Sequence, residues 1–271
     1  MTTNDADKVF AGSIPEIYDE YLVPLIFEPY ATDLAGRLSA FKPESVLETA
    51  AGTGVLTRAL AASFPDAAIA ASDLNQPMLD RAAARFGRSA RVTWQHADAL
   101  ALPFADESFD AVACQFGVMF FPDKIRGYKE ARRVLKRGRP FAFNVWDHIE
   151  RNELVAVVSE ALETFFPDDP PRFMARTPHG YHDADEIRRH LGDAGFIDIV
   201  IERVNARSRA PSAYDAAFAF CQGTPWRAEI EARGGAGGLQ KATQHAADAL
   251  IGRFGAGPIE GGIAALVVMA R

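Results

Sequence analysis

Residues 46–54 read VLETAAGTG, and the pattern of this segment predicts the type of fold. A short apolar run ends at Leu47, Gly52 and Gly54 predict a turn, and residues 56–64 have the apolar spacing of a helix. The predicted order is therefore strand, glycine loop, helix. Glycines in such a loop let backbone amides approach a ligand beside the positive end of the next helix. The stretch predicts a nucleoside-cofactor site.

Two residues around this loop distinguish between possible nucleoside cofactors. A dinucleotide-binding loop has a third glycine three residues after the second, and this chain has Thr57 there. Glu48 stands at the predicted strand end, where a carboxylate would repel a pyrophosphate but would suit an ammonium or sulfonium group. The sign of that charge favours S-adenosylmethionine over NAD. A nicotinamide-dependent oxidoreductase is the weaker alternative.

Acidic residues also end the next two predicted strands. Residues 67–72 are small and mostly apolar and lead to Asp73, about twenty residues beyond the glycine loop, where a carboxylate can accept both ribose hydroxyls. Residues 92–99 form a third strand candidate that contains Asp98. We expect the Asp98 carboxylate to accept a hydrogen bond from the adenine amino group.

In their order and spacing, four segments of the chain resemble the class I S-adenosylmethionine-dependent methyltransferases. The similarity is greatest to the type 11 branch, which includes quinone-biosynthesis methyltransferases. The segments are residues 47–54, 72–79, 98–104 and 109–117, within a resemblance that spans roughly residues 45–147. It implies an α/β fold: a Rossmann-like sheet of seven strands in the order 3-2-1-4-5-7-6, with the last strand antiparallel and helices on both faces.

The resemblance also implies which residues bind the cofactor. They are Glu48, Ala50, Gly52 and Thr53 at the methionine and ribose region, Asp73 and Leu74 at the ribose, Met78 against the nucleoside, Asp98 and Ala99 at the adenine, and Gln115 and Phe116 at the methionyl end. Two positions depart from the family pattern. Ala50 replaces the first glycine of the loop, and residues 136–140, KRGRP, replace the glycine pair before the fifth strand. We expect neither departure to change the cofactor assignment.

The length of 271 residues and the hydrophobic content of 48% allow a full core in one domain, residues 1–271. Strands are predicted at 140–146, 196–204 and 264–270, and a helix at 184–195. We expect a core from about 35–149, 182–204 and 263–271, and a helical cap from 1–34, 150–181 and 205–262.

The predicted cap is rich in large apolar side chains. They are Phe10, Ile14, Tyr18, Tyr21, Phe165, Phe166, Phe173, Met174, Tyr214, Phe218, Phe220, Trp226 and Phe254. Long insertions of this kind are commonly lids or binding loops. Ordinary packing explains any single one of these side chains, but together they predict an apolar pocket for a small-molecule acceptor. The expected acceptor is a partly apolar or aromatic metabolite, methylated on oxygen, nitrogen or carbon.

Candidate catalytic residues follow from the chemistry of methyl transfer. A sulfonium already activates the methyl group, so the protein must position the acceptor and, for an acidic acceptor, remove its proton. His148 follows the fifth predicted strand and is the first candidate for the base, and Tyr18 is a candidate contact to the acceptor or the methionyl carboxylate. His179 and His182 fall in the connection between cap and helix, and His190 and His245 are expected on helix surfaces. A non-catalytic S-adenosylmethionine-binding or regulatory protein is the main alternative.

Charge restricts the possible partners. The net charge of −7 and a pI near 5.4 argue against a nucleic-acid substrate, because such binding requires a basic surface. The cations of residues 124–139 form a local exception. They are interpreted as the solvated face of a helix, with docking to an acyl carrier or a membrane surface as the alternative.

Cysteine use and hydropathy indicate the compartment. Cys114 and Cys221 are expected to be free, buried thiols, and no zinc-binding pattern is present, so no metal is predicted. No apolar run approaches twenty residues, and the first residues do not resemble a secretion signal. We expect a cytoplasmic monomer or homodimer without integral membrane association.

Overall fold

Seven strands form one sheet in the computed structural model, which describes residues 5–271. The strands are β1 (Ser45–Thr49), β2 (Ala68–Asp73), β3 (Val92–His96), β4 (Ala111–Gln115), β5 (Phe141–Trp146), β6 (Ile199–Ala210) and β7 (Ile259–Ala270). Their order across the sheet is β3-β2-β1-β4-β5-β7-β6. This confirms the predicted fold class and strand order.

The pairing of the strands creates the edge at which a ligand can bind. β1 is parallel to β2 and to β4, β2 is parallel to β3, and β4 is parallel to β5. β7 runs antiparallel to β5, with Phe141 opposite Ala270 and Trp146 opposite Ala265. Since β1 to β5 are parallel, their carboxyl ends meet at one edge. Ligands of open α/β sheets bind at that edge.

Eleven α-helices lie between these strands or in the insertions of the described chain. They are α1 (Ile14–Ile17), α2 (Glu28–Leu38), α3 (Val55–Ser63), α4 (Gln76–Phe86), α5 (Lys124–Val134), α6 (Glu153–Phe165), α7 (Phe173–Arg176), α8 (Ala184–Asp193), α9 (Ala213–Gln222), α10 (Trp226–Gly234) and α11 (Gly238–Phe254). Short 3-10 segments cover Asp5–Lys8, Ser39–Phe41, Val118–Phe120 and Ile149–Arg151. A π-helix covers Tyr18–Phe27 and contains Pro24, which has no N–H group to donate.

The chain divides into two compact units. The sheet unit comprises residues 28–146, 181–204 and 265–271. The helical unit comprises the described residues up to 27, together with 147–180 and 205–264. The assignment of one domain with a core and a cap stays a prediction.

The core of the sheet unit is built from two helices that cover the central strands. Leu34 and Leu38 of α2 and Leu56 and Leu60 of α3 are fully buried in one cluster with Val46 of β1. Complete burial of such a side chain contributes about 1.5–3 kcal/mol relative to exposure. β4 and β5 are buried along their whole length, as expected of strands covered on both faces. This packing holds the carboxyl ends of the strands in place.

The helical unit has its own core, which includes three of the aromatic residues predicted for the cap. Phe173, Phe220 and Trp226 are buried, and Trp226 Nε1 donates to Pro171 O at 3.2 Å. Tyr21 and Tyr214 are exposed instead, by 38% and 45%. Packing within the unit therefore accounts for the three buried aromatics.

Ion pairs attach the start of the described chain to the helical unit. Arg176 Nη2 donates to Asp7 Oδ1 at 2.5 Å and to Glu229 Oε1 at 2.7 Å. Thr177 Oγ1 donates to the second oxygen of Asp7 at 2.5 Å. Asp7 is only 2% exposed, so these partners compensate the burial of its charge.

Several cations of the basic run after β4 form ion pairs with acidic neighbours in the sheet unit. Arg133 pairs with Glu130 and Asp106, and both Lys136 and Arg139 pair with Asp110. These cations lie at or beyond the C-terminus of α5, where positive charge also interacts favourably with the helix dipole. The interpretation of the run as the solvated face of a helix stays a prediction, which these contacts support.

The last two strands differ from their predicted limits. β6 begins at Ile199 rather than 196, because Phe196 N donates to Leu191 O at 3.0 Å and still closes the end of α8. β6 continues to Ala210 and β7 begins at Ile259, so residues predicted for the cap extend both strands. In residues 5–271, no helix combines the length and the apolar character needed to cross a membrane.

Candidate cofactor site

The glycine loop, residues 50–54, follows β1 at the carboxyl edge of the sheet. Gly52 and Gly54 have φ angles of +56° and +79°, and Gly54 precedes the first residue of α3. Ala51 N donates to Ser72 O at 2.9 Å, which joins the loop to β2. The two positive φ angles explain the glycines, because other residues rarely adopt them.

Ala50 has a strained backbone conformation that the sequence did not indicate. Its φ angle is +53°, a left-handed conformation that costs a residue with a Cβ roughly 1–2 kcal/mol. Phe116, which follows β4, has a φ angle of +51°. Two left-handed residues that are not glycine thus stand at the ends of adjacent strands. Strain of this kind is concentrated at functional sites.

Asp73 ends β2, and its carboxylate anchors the loop. Its Oδ2 accepts the Gly52 N–H at 2.8 Å, and its Oδ1 accepts the Asn75 N–H at 2.7 Å. Burial raises the pKa of Asp73, while the two backbone hydrogen bonds oppose that shift. Each carboxylate oxygen has two acceptor positions, so the group retains acceptor capacity for ribose hydroxyls. The role at the ribose stays a prediction that this geometry supports.

Glu48 and Thr57, which are nine residues apart in the chain, form one hydrogen-bonded pair. Thr57 Oγ1 donates to Glu48 Oε2 at 2.5 Å, and the two residues are 0% and 1% exposed respectively. Burial raises the pKa of Glu48 to about 8, and the Thr57 hydrogen bond opposes this shift. Glu48 is therefore largely neutral near pH 7 without a ligand. A nearby cation would favour its ionised form.

We expect the ligand-free protein to lose stability as the pH rises from 5 to 8, because of Glu48. The pKa of about 8 in the folded state lies above the ordinary 4.5, so the folded state holds this proton more tightly. Its stabilising contribution is complete below pH 4.5 and declines as the pH approaches 8. The slope is at most about 1.4 kcal/mol per pH unit.

Urea unfolding of the ligand-free protein between pH 5 and 8 measures this effect. Glu48→Gln should flatten the dependence, whereas Glu163→Gln, at an exposed site on α6, should leave it as in the wild type. Parallel pH profiles for Glu48→Gln and the wild type would contradict the assignment.

The second part of the candidate site, also within the sheet unit, lies at the ends of β4 and β5. Phe116 N donates to Asn144 Oδ1 at 2.9 Å, and the Phe116 ring stacks on Trp146 with centroids 3.9 Å apart. Tyr30 meets both rings edge-on, at 5.4 and 5.5 Å. Gln115 is 8% exposed. The predicted methionyl end therefore contains Gln115 and Phe116 beside an aromatic cluster.

Of the residues predicted to contact the ribose and the adenine, some are buried and others are exposed. Met78 is 3% exposed, and a Cβ at Gly52 would lie 3.7 Å from its Cε atom. Leu74 is 46% exposed, and Asp98 is exposed, with its Oδ1 accepting the Leu100 N–H at 2.9 Å. Ala97 N donates to Asp73 O at 3.0 Å, which brings the segment before Asp98 and Ala99 to the end of β2.

The two candidate catalytic residues belong to the helical unit. The His148 side chain is 45% exposed and precedes a 3-10 turn, where its Nδ1 accepts the Glu150 N–H at 3.5 Å. Tyr18 begins the π-helix and stacks on Phe27 with centroids 5.1 Å apart. Their catalytic roles stay predictions. His190 was predicted at the helix surface, but it is partly buried, and Tyr181 Oη lies 2.9 Å from its Nδ1.

The sequence analysis did not predict three residues that contact Phe116 at the end of β4. Asn144 is a polar residue within the otherwise apolar strand FAFNVW, and this pattern could have indicated a buried hydrogen-bonding role. Trp146 lies at the end of the same strand, but nothing local indicates its stacking partner. Tyr30 is 0% exposed and belongs to α2, far from the motifs in the chain, so no local pattern identifies it.

The donor and acceptor groups present fit a nucleoside with polar ribose and amino acid groups. The Asp73 carboxylate ends β2, the Glu48 carboxyl group lies one residue before the end of β1, and the backbone amide of Gly52 in the following loop binds Asp73. Thr53 Oγ1 is buried without a hydrogen-bond partner in residues 5–271. An unsatisfied buried hydroxyl is costly, so a polar ligand group beside the loop would stabilise it.

The sheet order, the reversed β7, the glycine loop and the acid at the end of β2 together define the class I methyltransferase fold. Residues 46–138 match the protein family described as methyltransferase domain. This match confirms, for that part of the chain, the resemblance predicted from the sequence.

Comparisons with individual proteins agree with this class. A demethylmenaquinone methyltransferase of Clavibacter sepedonicus is 44% identical over 95 residues, which cover 35% of this chain and 38% of the relative. A malonyl-[acyl-carrier protein] O-methyltransferase of Geobacter sulfurreducens is 33% identical over 160 residues, 59% of this chain and 58% of the relative. The chain thus spans less than two thirds of either curated relative.

A solved structure extends the likeness of the fold over nearly the whole chain. Phosphoethanolamine N-methyltransferase 2 of Haemonchus contortus, in complex with S-adenosylhomocysteine, superposes with a TM-score of 0.60 at 17% identity. The alignment covers 96% of this chain and 56% of that one. At this identity the likeness concerns the fold alone.

Proposed function

We propose that this protein is an S-adenosylmethionine-dependent methyltransferase whose acceptor is a small, partly apolar or aromatic metabolite. The observation that carries the proposal is the Asp73 carboxylate, which binds the Gly52 amide at 2.8 Å at the end of β2. The methyltransferase domain match over residues 46–138 supports the same assignment. A cationic sulfonium near Glu48 would favour the ionised form of this buried carboxyl group, whereas a pyrophosphate would not, so the site favours the sulfonium nucleoside over NAD.

The residues of the sheet unit have distinct tasks in this proposal. Asp73 accepts the ribose hydroxyls, and Met78 packs on the nucleoside. Glu48 supplies negative charge for the cationic end of the ligand, with Thr57 holding its carboxyl group. The cofactor, when bound, supplies a methyl group that its sulfonium has already activated. The protein therefore needs to orient the acceptor and exclude water more than to create a reactive group.

The names of the relatives suggest acceptors for a first screen. One is named for demethylmenaquinone and another for a malonyl group on an acyl carrier protein. A hydroquinone and a carboxylic acid represent these two chemistries. The net charge of −7 argues against a nucleic-acid acceptor, because the phosphates of nucleic acids bind basic surfaces. The cytoplasmic location and the monomeric or homodimeric state stay predictions.

Calorimetric titration with S-adenosylmethionine, S-adenosylhomocysteine and NADH tests the cofactor. We expect micromolar binding of both sulfur nucleosides and no binding of NADH. Binding of NADH alone would overturn the proposal and favour the oxidoreductase alternative.

Formation of S-adenosylhomocysteine then tests the reaction. The acceptor panel contains small phenols, hydroquinones, amines and carboxylic acids, and turnover with at least one is expected. Tight nucleoside binding without turnover on any of them would favour the alternative of a non-catalytic binding protein.

A further inference from the structure

Asn144 is a fully buried amide side chain in β5 of the sheet unit. Its neighbours Phe143 and Val145 are fully buried as well, and Asn144 pairs with Gln115 of the parallel strand β4. Its side-chain oxygen Oδ1 accepts the Phe116 N–H at 2.9 Å, and its backbone oxygen lies 3.2 Å from the same nitrogen. Asn144 thus offers two acceptors to the first residue after β4.

Phe116, the residue that Asn144 binds, leaves β4 in a left-handed conformation. Its φ angle of +51° is unfavourable for a residue with a Cβ. A strained residue of this kind persists only where its surroundings fix it. The Asn144 hydrogen bond fixes the backbone of Phe116, and the stacking on Trp146, with centroids 3.9 Å apart, fixes its ring. Both constraints come from β5.

The chain after Phe116 packs directly against the glycine loop. A Cβ at Gly117 would lie 2.4 Å from Ala50 Cβ, so the backbone at Gly117 is in close contact with the first residue of the loop. Ala50 is itself left-handed, with a φ angle of +53°. A change in the backbone of Phe116 would therefore be transmitted to the loop that follows β1.

Stability alone does not explain an amide at position 144. Strands that are buried on both faces, as β5 is, are usually apolar throughout. The Nδ2 group of Asn144 has no hydrogen-bond partner within residues 5–271. An unsatisfied buried donor costs more than a typical hydrogen bond contributes, so an apolar side chain of similar size would be at least as stable. The amide is therefore better explained by the position that it gives to Phe116.

We propose that Asn144 is a positioning residue, which holds Phe116 in the conformation that binds the methionyl end of S-adenosylmethionine. The inference rests on the proposed function and on the predicted place of Phe116 in the site. Asn144 acts through the Phe116 amide and touches neither cofactor nor acceptor. Without its side-chain oxygen, Phe116 spends part of the time in ordinary backbone conformations. The apparent affinity then falls in proportion to the fraction of molecules that stay competent for binding.

Asn144→Leu separates positioning from stability. We expect the calorimetric Kd for S-adenosylmethionine to rise about 10-fold, which corresponds to one competent molecule in ten. The urea midpoint should equal or exceed that of the wild type, because the substitution also removes the unsatisfied donor. Phe141→Leu is the matched control, since Phe141 is buried at the other end of β5. It should show the opposite pattern, a lower urea midpoint with unchanged affinity.

Rescue by a conservative variant is the second readout. The carboxyl group introduced by Asn144→Asp has the shape of the amide and can accept the Phe116 N–H, and burial favours its protonated form. At pH 6 we expect this variant to bind S-adenosylmethionine within about 3-fold of the wild-type affinity, in keeping with a role that needs only the acceptor oxygen.

Fluorine NMR with 5-fluorotryptophan is the third readout. Trp146→Phe identifies the Trp146 resonance by its loss. In ligand-free Asn144→Leu this resonance should be broadened or split, because the ring that Trp146 stacks on is no longer held in one place. Saturation with S-adenosylmethionine should restore a single line, since the ligand selects the competent conformation.

The possible results are distinguishable. Wild-type affinity of Asn144→Leu, an equal loss of affinity in Asn144→Asp, or a loss that follows a fall in the urea midpoint would each overturn the positioning role and leave the methyltransferase assignment intact. Asn144→Ala should show the same loss of affinity, and it replaces the leucine variant if that protein does not fold. Failure of the wild type to bind S-adenosylmethionine would instead contradict the proposed function itself.

Discussion

Replacing Asp73 with alanine is expected to weaken the binding of S-adenosylmethionine by roughly 10- to 100-fold. A hydrogen bond to a charged group contributes about 1.5–3 kcal/mol, and each 1.4 kcal/mol corresponds to a factor of ten in affinity. The substitution also removes the acceptor for the backbone amides of Gly52 and Asn75, which lie 2.8 and 2.7 Å from the carboxylate. Both the ligand contact and the loop geometry would be lost.

Calorimetric titration of folded Asp73→Ala measures this loss. Asp73→Asn keeps the size of the side chain but removes its charge. Its affinity for S-adenosylmethionine should therefore separate the effect of lost charge from that of lost volume. Asp80→Ala is the matched control, because Asp80 lies on the exposed face of α4 and accepts only Gln76 Nε2, at 2.7 Å, among its described contacts. Unchanged affinity in a folded Asp73→Ala protein would show that the ribose assignment is wrong.

Gly117→Ala is expected to destabilise the protein by about 1–3 kcal/mol, the usual cost of overpacking a dense core. A Cβ at this position would lie 2.4 Å from Ala50 Cβ and 2.7 Å from Cys114 Sγ. Cys114 is a fully buried free thiol, as predicted, and Ala50 is the first residue of the glycine loop, directly after β1. Neither neighbour can move without disturbing the carboxyl edge of the sheet.

Urea unfolding of three variants tests this packing argument. Gly36→Ala is the control, because its Cβ would meet nothing within 4 Å on the exposed face of α2, and it should stabilise by about 0.5–1 kcal/mol. Adding Ala50→Gly to Gly117→Ala removes one clashing atom and relieves a left-handed alanine, so it should restore part of the lost stability. A Gly117→Ala protein as stable as the wild type would rule out the crowding.

Local sequence patterns were sufficient for several elements of the sheet, since the apolar runs of β1, β4 and β5 and the glycines at positive φ angles depend only on neighbours in the chain. The strand order was implied by the resemblance to class I methyltransferases, and the structure confirms it. The limits of β6 and β7 were less predictable, because their extensions depend on pairing across the chain. Arg207 and Glu260, for example, meet at 2.5 Å although 53 residues separate them.

The amino-acid sequence was enough to predict the strand, loop and helix of the cofactor site and the acid at the end of β2, because each follows from residues close together in the chain. The class of fold came from the resemblance of four segments, in their order and spacing, to a known family. The contact between Thr57 and Glu48, the lack of room for a side chain at Gly117 and the hydrogen bond between His179 and Asp147 became visible only in the folded chain. Such pairs depend on burial and on contacts between distant segments. Burial raises the pKa of Glu48 to about 8, which no pattern of neighbouring residues could have indicated.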